Sequence, residues 1–246
     1  MSQHSHPATD AAGGTAAPTA GYLPAMGRDW LLPLYDPFTR LLGAPAAHRS
    51  LIEQADLRAG HRVLEIGTGT GNLLLSVKRR HPDVAATGLD PDPRALARAA
   101  RKARRAGVAI QLDRGFAGRL PYADGSFDRV FSAFMLHHLP AAERLAALRE
   151  VRRVLAPGGS LHLLDLGGQG RPRNHVARLL HRRNSRHADP AHAHAGHGGA
   201  GHGGAGHGDA GHGIGVMLAE AGFTDPTETG EGAIMLSPYV SYRAGR

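Results

Sequence analysis

The run Val63-Leu-Glu-Ile-Gly-Thr-Gly-Thr-Gly-Asn72 places three glycines, Gly67, Gly69 and Gly71, at alternate positions straight after an apolar stretch. Glycines of this kind let the backbone turn sharply from a strand into a helix and let a ligand approach the main chain closely. A dinucleotide fingerprint requires G-x-G-x-x-G, and Asn72 stands where its third glycine belongs. Asp90 follows 19 residues after Gly71, at the end of the next apolar run, where a carboxylate can accept hydrogen bonds from both hydroxyls of a ribose. That spacing serves NAD and other nucleotide-type ligands equally. Farther along, His137 and His138 follow a fourth apolar run and Asp165 closes a fifth. Imidazole changes protonation state near neutral pH, so the two histidines are the candidate acid–base groups, with Asp165 as a possible orienting partner.

Such groups work only if the chain gathers them at one rim. RVLEIG, VAATGLD, VAIQLD, FDRVFSAF and SLHLLDL read as five strands of a largely buried parallel sheet. Between them, helices are predicted over Gly71–His81, Pro93–Ala106 and Ala141–Ala156. Pro93 in its first turn and Gly107 past its end bound the second, and Pro157-Gly158-Gly159 stops the third. A further helix is expected over Ala46–Ala55. After Ile214 come a short helix, VMLAEAG, and two strands near Phe223–Thr229 and Ala233–Tyr242. The expected architecture is α/β: a Rossmann-like open sheet of seven strands, mostly parallel, with a C-terminal antiparallel hairpin and helices on both faces. Ligands of such sheets bind outside the carboxyl ends of the strands.

In the order LEIGTGTG, GLDPDP, RLPYADGSFDRVFSAFMLHHL and LREVRRVLAPGGSLHLLDL, the chain resembles class I S-adenosylmethionine-dependent methyltransferases. More narrowly it is similar to the ubiquinone/menaquinone-biosynthesis type and related small-molecule enzymes, closely over Leu34–Leu166 and more loosely through AEAGF and the terminal strands. The resemblance implies S-adenosylmethionine as cofactor. Gly67, Thr68, Gly69 and Gly71 would wrap its methionyl part, Glu65 would position that part and its ammonium group, and Asp90 would hold the ribose diol. Pro91 and Asp92 would border the adenine, and Ser132 would line the place where methyl donor and acceptor meet. The family's Gly-Asp-Ala before LPF is here Gly115-Phe116-Ala117 before Leu120-Pro121-Tyr122. Phe116 can cover the adenine face but cannot accept a proton from its amine; a plain core position is the alternative. Methyl transfer is an in-line displacement at a sulfonium, so positioning and electrostatics carry much of it. A base is needed only for an un-ionised hydroxyl, a protonated amine or a carbon acid. His137 and His138 are the candidates, with Asp165 as orienting partner; packing or backbone capping is the plainer role for either histidine.

Composition narrows the field from the other side. Among 246 residues there is no cysteine, which excludes disulfides, thiolate zinc sites, iron–sulfur clusters and any cysteine nucleophile. The first basic residue is Arg28 and no apolar run reaches the length of a membrane span, so a soluble, cytoplasmic protein is expected. The formal net charge is +8, and 27 of the 29 basic residues are arginine, Lys78 and Lys102 being the exceptions. The stretch Arg94–Arg105 carries Arg94, Arg98, Arg101, Lys102, Arg104 and Arg105 with no acid, either a solvated helix face or a contact for RNA phosphates. Base-stacking aromatics are scarce and no D/N-P-P-Y element follows the fourth strand, which makes nucleic acid the weaker partner. Residues 1–20 read as a disordered tail, and residues 21–246 as the methyltransferase domain. Within it, 21–58 form an N-terminal cover rich in aromatics and prolines, 171–187 a basic amphipathic helix, and 188–213 a mobile His/Gly-rich insertion. His187, His192, His194, His197, His202, His207 and His212 can gather a metal weakly, but no pattern defines a geometry and no metal ligand is assigned. The expected partner is a small-molecule, lipid-like or quinone-like acceptor. The other readings are an RNA or protein methyltransferase and a binding protein of the same fold that has lost activity.

Overall fold

The computed structural model describes residues 44–167, 210–234 and 237–246. The tail expected over 1–20, the cover up to residue 43, the basic stretch 171–187 and the insertion up to residue 209 lie outside the described residues. In chain order the elements are α1 (Ala44–Glu53), β1 (Arg62–Ile66), α2 (Asn72–Arg80), β2 (Ala85–Asp90), α3 (Pro93–Arg105), β3 (Gln111–Arg114) and β4 (Phe127–Ala133). A 3-10 turn (Leu136–His138), α4 (Ala141–Val154), β5 (Leu155–Leu166), α5 (Ala210–Glu220), β6 (Thr224–Ile234) and β7 (Ser237–Gly245) follow.

The strands form one sheet in the order β3-β2-β1-β4-β5-β7-β6. The first five are parallel; β7 pairs antiparallel with β5 and with β6. The chain leaves β1 toward one edge and returns with β4 on the other side, so the switch point, where ligands of such sheets bind, lies between these two strands. Because strand side chains alternate between faces, the sheet divides the core in two. Leu64, Ile66, Val130, Leu161 and Leu163 pack with Leu148 and Val151 of α4 and Leu218 of α5. On the opposite face Val63, Ala86, Phe131 and Leu164 pack with Leu51 and Ile52 of α1 and Leu73, Leu74 and Val77 of α2.

The helix signals behave as their chemistry requires. Asp92 caps α3, its Oδ1 accepting from the Arg94 amide at 2.8 Å, with Pro93 in the first turn. Ala95, Leu96, Ala99 and Ala103 form its buried stripe, leaving Arg94, Arg101, Arg104 and Arg105 exposed. Several boundaries differ from the expectation, among them the first helix, which spans Ala44–Glu53, and the third strand, which begins only at Gln111. Helix α4 ends at Val154 and the chain passes straight into β5, with Ala156-Pro157-Gly158-Gly159 as an irregular stretch between the pairs Phe127–Leu155 and Arg129–Ser160. Pro157 has no amide proton for the helical ladder, so the helix cannot include it. Ala233 and Ile234, expected in the last strand, belong to β6, and β7 begins at Ser237. As an edge strand β6 is mostly exposed and carries Pro226, Glu228 and Glu231, so no apolar alternation marks it. Helix α5 starts at Ala210, four residues before the periodicity that predicted it.

Candidate active site

The glycine run leaves β1 and enters α2 with Gly67, Gly69 and Gly71 all in the left-handed region, at φ 67°, 52° and 78°. Their reasons differ. A Cβ on Gly67 would lie 2.3 Å from Met135 Cγ, and one on Gly71 3.0 Å from Ala99 Cβ, so these two admit neighbouring side chains. A Cβ on Gly69 would meet nothing within 4 Å, so this glycine borders open space. The intervening threonines turn inward. Thr68 Oγ1 donates to Glu65 Oε2 at 2.7 Å, and Thr70 Oγ1 accepts from Lys102 Nζ at 2.9 Å. Glu65 is 3% exposed; burial pushes its carboxyl up to about 8, against the hydrogen bond from Thr68. It braces the loop from beneath, inside the protein.

Asp90, the last residue of β2, ties two segments together. Its Oδ2 accepts from the Gly69 amide at 2.8 Å and its Oδ1 from the Asp92 amide at 2.9 Å. Burial raises the carboxyl above its ordinary value, while the two backbone donors pull it back. The Pro91 carbonyl beside it accepts from Arg114 Nε at 3.3 Å. The Gly115 amide donates to the Asp90 carbonyl at 3.2 Å, which holds Phe116 next to this corner. Phe116 is 52% exposed, so the core alternative for it is wrong: the ring stands at the surface, in a single bridge to Arg119. Ser132, near the end of β4, is buried, and its Oγ has no hydrogen-bond partner among the described residues.

Past β4 the chain makes a strained turn. Phe134 has φ 55°, a left-handed conformation that costs a bulky residue roughly 1–3 kcal/mol. It is held by its amide donating to the Leu164 carbonyl at 2.7 Å and by edge-to-face contact with Tyr239. The turn drives Met135 onto Gly67 and starts the 3-10 turn that carries the histidines. His137 Nδ1 meets Asp165 Oδ1, and the His137 amide donates to Asp165 Oδ2 at 3.1 Å. Asp165 is 1% exposed and also accepts from the Leu166 amide at 2.7 Å. Of the two histidines, His137 is the one seated on Asp165, with its ring partly open. His138 packs beside it with the rings tilted, 4.0 Å between centroids, and is more exposed; partial burial, and the neighbouring imidazole after it, lower its pKa.

Three contacts here were not foreseen from the sequence. Met135 fills the space beside Gly67. Lys102 reaches the loop from α3. Arg144 holds the histidine turn, Nε donating to the Leu139 carbonyl at 2.7 Å and Nη2 to the His137 carbonyl at 3.4 Å. The one signal available for Lys102 was its being one of two lysines in a chain whose other 27 Lys/Arg positions are arginine. Among the described residues no cluster of three or more histidines and carboxylates is placed to hold a metal.

Comparison with known proteins fixes the lineage. Residues 63–159 match the model of a methyltransferase domain family. The ubiquinone/menaquinone biosynthesis C-methyltransferase UbiE of Syntrophotalea carbinolica is 32% identical over 165 residues, 66% of this chain and 68% of that protein. The chain belongs to the class I S-adenosylmethionine-dependent methyltransferases. Within this methyltransferase family, the demethylmenaquinone methyltransferase of Thermus thermophilus is 40% identical over 138 residues, 55% of this chain. The match spans 62% of that relative's length, less than two thirds. The phosphoethanolamine N-methyltransferase 2 of Haemonchus contortus, solved with S-adenosyl-L-methionine, shares the fold with a TM-score of 0.59 at 15% identity, over 82% of this chain and 52% of that one. The residues present suit the family's methyl donor. Gly69 leaves space against the main chain, the Asp90 carboxylate has lone pairs left for a diol, and the orphan hydroxyl of Ser132 is a ready polar contact. Among the described residues no helix is long and apolar enough to cross a membrane.

Proposed function

We propose that the chain transfers a methyl group from S-adenosylmethionine to a small, protic, quinone-like acceptor, with His137 as general base and Asp165 as its orienting partner. The observation that carries this reading is the seating of Met135 on Gly67, two residues before His137. It sets the donor loop and the histidine–carboxylate pair side by side at the carboxyl rim of β1, β4 and β5.

Gly67, Thr68, Gly69 and Gly71 form the cradle for the methionyl part, Asp90 receives the ribose hydroxyls, and Pro91 and Phe116 flank the adenine. Glu65 acts by shaping the cradle, and Ser132 closes it from β4. The bound donor supplies a methyl group on a sulfonium, which departs as a neutral thioether. Asp165 fixes the His137 ring through Nδ1, so Nε2 is the nitrogen that takes the acceptor's proton as its oxygen or carbon attacks. A buried carboxylate in contact with the ring also stabilises the imidazolium that forms. An acceptor already ionised would have no use for this pair, and that is why a hydroxyl or a carbon acid is proposed. The names of the Thermus and Syntrophotalea relatives support a quinone-type ring. A cytoplasmic location is part of the same reading.

The test is transfer of labelled methyl from S-adenosylmethionine to a panel holding a naphthohydroquinone, a catechol, total RNA and a protein extract. Label in a hydroquinone or catechol, lost in His137→Gln with donor affinity retained, is the expected result. Label in RNA or protein alone would refute the choice of acceptor. Failure of the parent to bind S-adenosylhomocysteine would refute the donor.

A further inference from the structure

Among the described residues, both lysines of the chain donate to uncharged oxygens. Lys78 donates to the Pro82 and Val84 carbonyls. Lys102 Nζ donates to Thr70 Oγ1 at 2.9 Å and to Asn72 Oδ1 at 2.7 Å. Every other basic position is arginine. An ammonium is compact and offers three tetrahedrally arranged donors; a guanidinium is planar and suits carboxylates and phosphates. At Lys102 the acceptors are the second threonine of the glycine loop and the first residue of α2.

Helix α3 touches that loop twice more. Ala99, one turn before Lys102, packs against the face of Gly71. At the helix start, the Asp92 amide donates to Asp90, whose other oxygen takes the Gly69 amide. The helix thus holds Asp90 at one end and the exit of the glycine loop near the other. The loop half that Lys102 holds, Thr70 to Asn72, is the part farther along the chain from the Asp90-bonded Gly69.

We infer that Lys102 is a positioning residue for the methyl donor: it keeps Thr70 and Asn72 in the conformation that receives the donor's amino-acid end, leaving the ribose to Asp90 and the adenine to Pro91 and Phe116. This rests on the cofactor reading given above. A residue that merely stabilised the domain would affect all ligands alike. Lys102 should discriminate between ligands with and without the amino-acid portion.

Titration calorimetry with S-adenosylhomocysteine and with 5′-methylthioadenosine, which lacks that portion, tests the assignment. Lys102→Met should bind S-adenosylhomocysteine at least tenfold more weakly than the parent and 5′-methylthioadenosine within twofold. Lys102→Arg should fail to restore the loss, and Arg101→Met, on the exposed face of the same helix, should match the parent for both. If Lys102→Met does not fold, Thr70→Val and Asn72→Ala each remove one acceptor and should show the same selective loss. Unchanged affinity for S-adenosylhomocysteine, or an equal loss for the two ligands, overturns the assignment. A parent that binds neither ligand overturns the cofactor reading beneath it.

Discussion

Replacing Glu65 by glutamine should change how the stability of the ligand-free protein depends on pH. Glu65 is fully enclosed, and its carboxyl is pushed up to about 8 from an ordinary 4.5 because burial disfavours the charge. Between those values the folded protein binds a proton that the unfolded chain does not. Stability from this group is therefore complete below about pH 4.5 and is lost as pH rises through about 8. One proton per molecule corresponds to about 1.4 kcal/mol per pH unit. From pH 6.5 to 8.0, where the folded-state carboxyl passes from almost fully to half protonated, the loss comes to about 1.5 kcal/mol. His162, held neutral, weakens the fold only below its ordinary value near 6.5, and the parent-minus-variant difference isolates Glu65 from other groups such as the Asp90 carboxyl, which burial also raises. For a domain of this size the loss is a fall of roughly 3–6 °C in Tm. Glutamine keeps the size of the side chain and cannot ionise, so Glu65→Gln should show a constant offset from the parent plus a flatter profile. The measurement is urea unfolding of both proteins at four pH values from 6.5 to 8.0. A parent-minus-variant difference constant to within about 0.5 kcal/mol would refute the claim that Glu65 is held protonated.

The site yields further expectations. Asp90→Ala should weaken S-adenosylhomocysteine binding by about 1–3 kcal/mol through lost charged hydrogen bonds, read by calorimetry. His137→Gln should cut turnover about 100-fold or more with donor affinity within twofold, while His138→Gln should retain most activity, measured with the acceptor the panel identifies. Gly69→Ala should cost the fold only the strain of its backbone angle, about 1 kcal/mol, yet impair donor binding; Gly67→Ala should also collide with Met135 and lower Tm further. His162 has no exposure and is pushed down to about 3 by burial, so its stabilising neutral form is complete above pH 6.5 and is lost toward pH 3. A His162→Leu variant should lose less stability than the parent on acidification, and parallel profiles in acid unfolding would sink that account.

Much of the donor side was legible because its information is local. The glycine alternation, the strand before it and the carboxylate closing the next strand lie within thirty residues, and each constrains backbone conformation directly. The His137–Asp165 pair was legible for another reason: His137 follows β4 and Asp165 lies at the end of β5, strands that turn out to be neighbours, so the alternating pattern alone puts them on one rim. Choosing between His137 and His138 required the left-handed turn at Phe134, which no pattern of residue types announces in a non-glycine residue. Lys102 reaches 32 residues back to Thr70, and sequence neighbours say nothing of such a span. Phe116 was weighed for the core because it is large and apolar, yet a short bridge at the edge of the sheet leaves it in solvent. The β6 boundary was misjudged because an edge strand need not alternate.

The placement of β7 bears on how such a protein can diversify. Running antiparallel, it sets Tyr239 opposite Leu166, the residue after Asp165, and so brings the paired ends of β6 and β7, Ile234 and Ser237, toward the rim that holds the histidine pair. The glycine loop, Asp90 and helix α3 belong to the β1–β2–β3 half, while the hairpin that meets β5 lies beyond residues 63–159, the span of the family model. Selection can therefore rewrite those paired strand ends without touching the segments that hold the glycine loop.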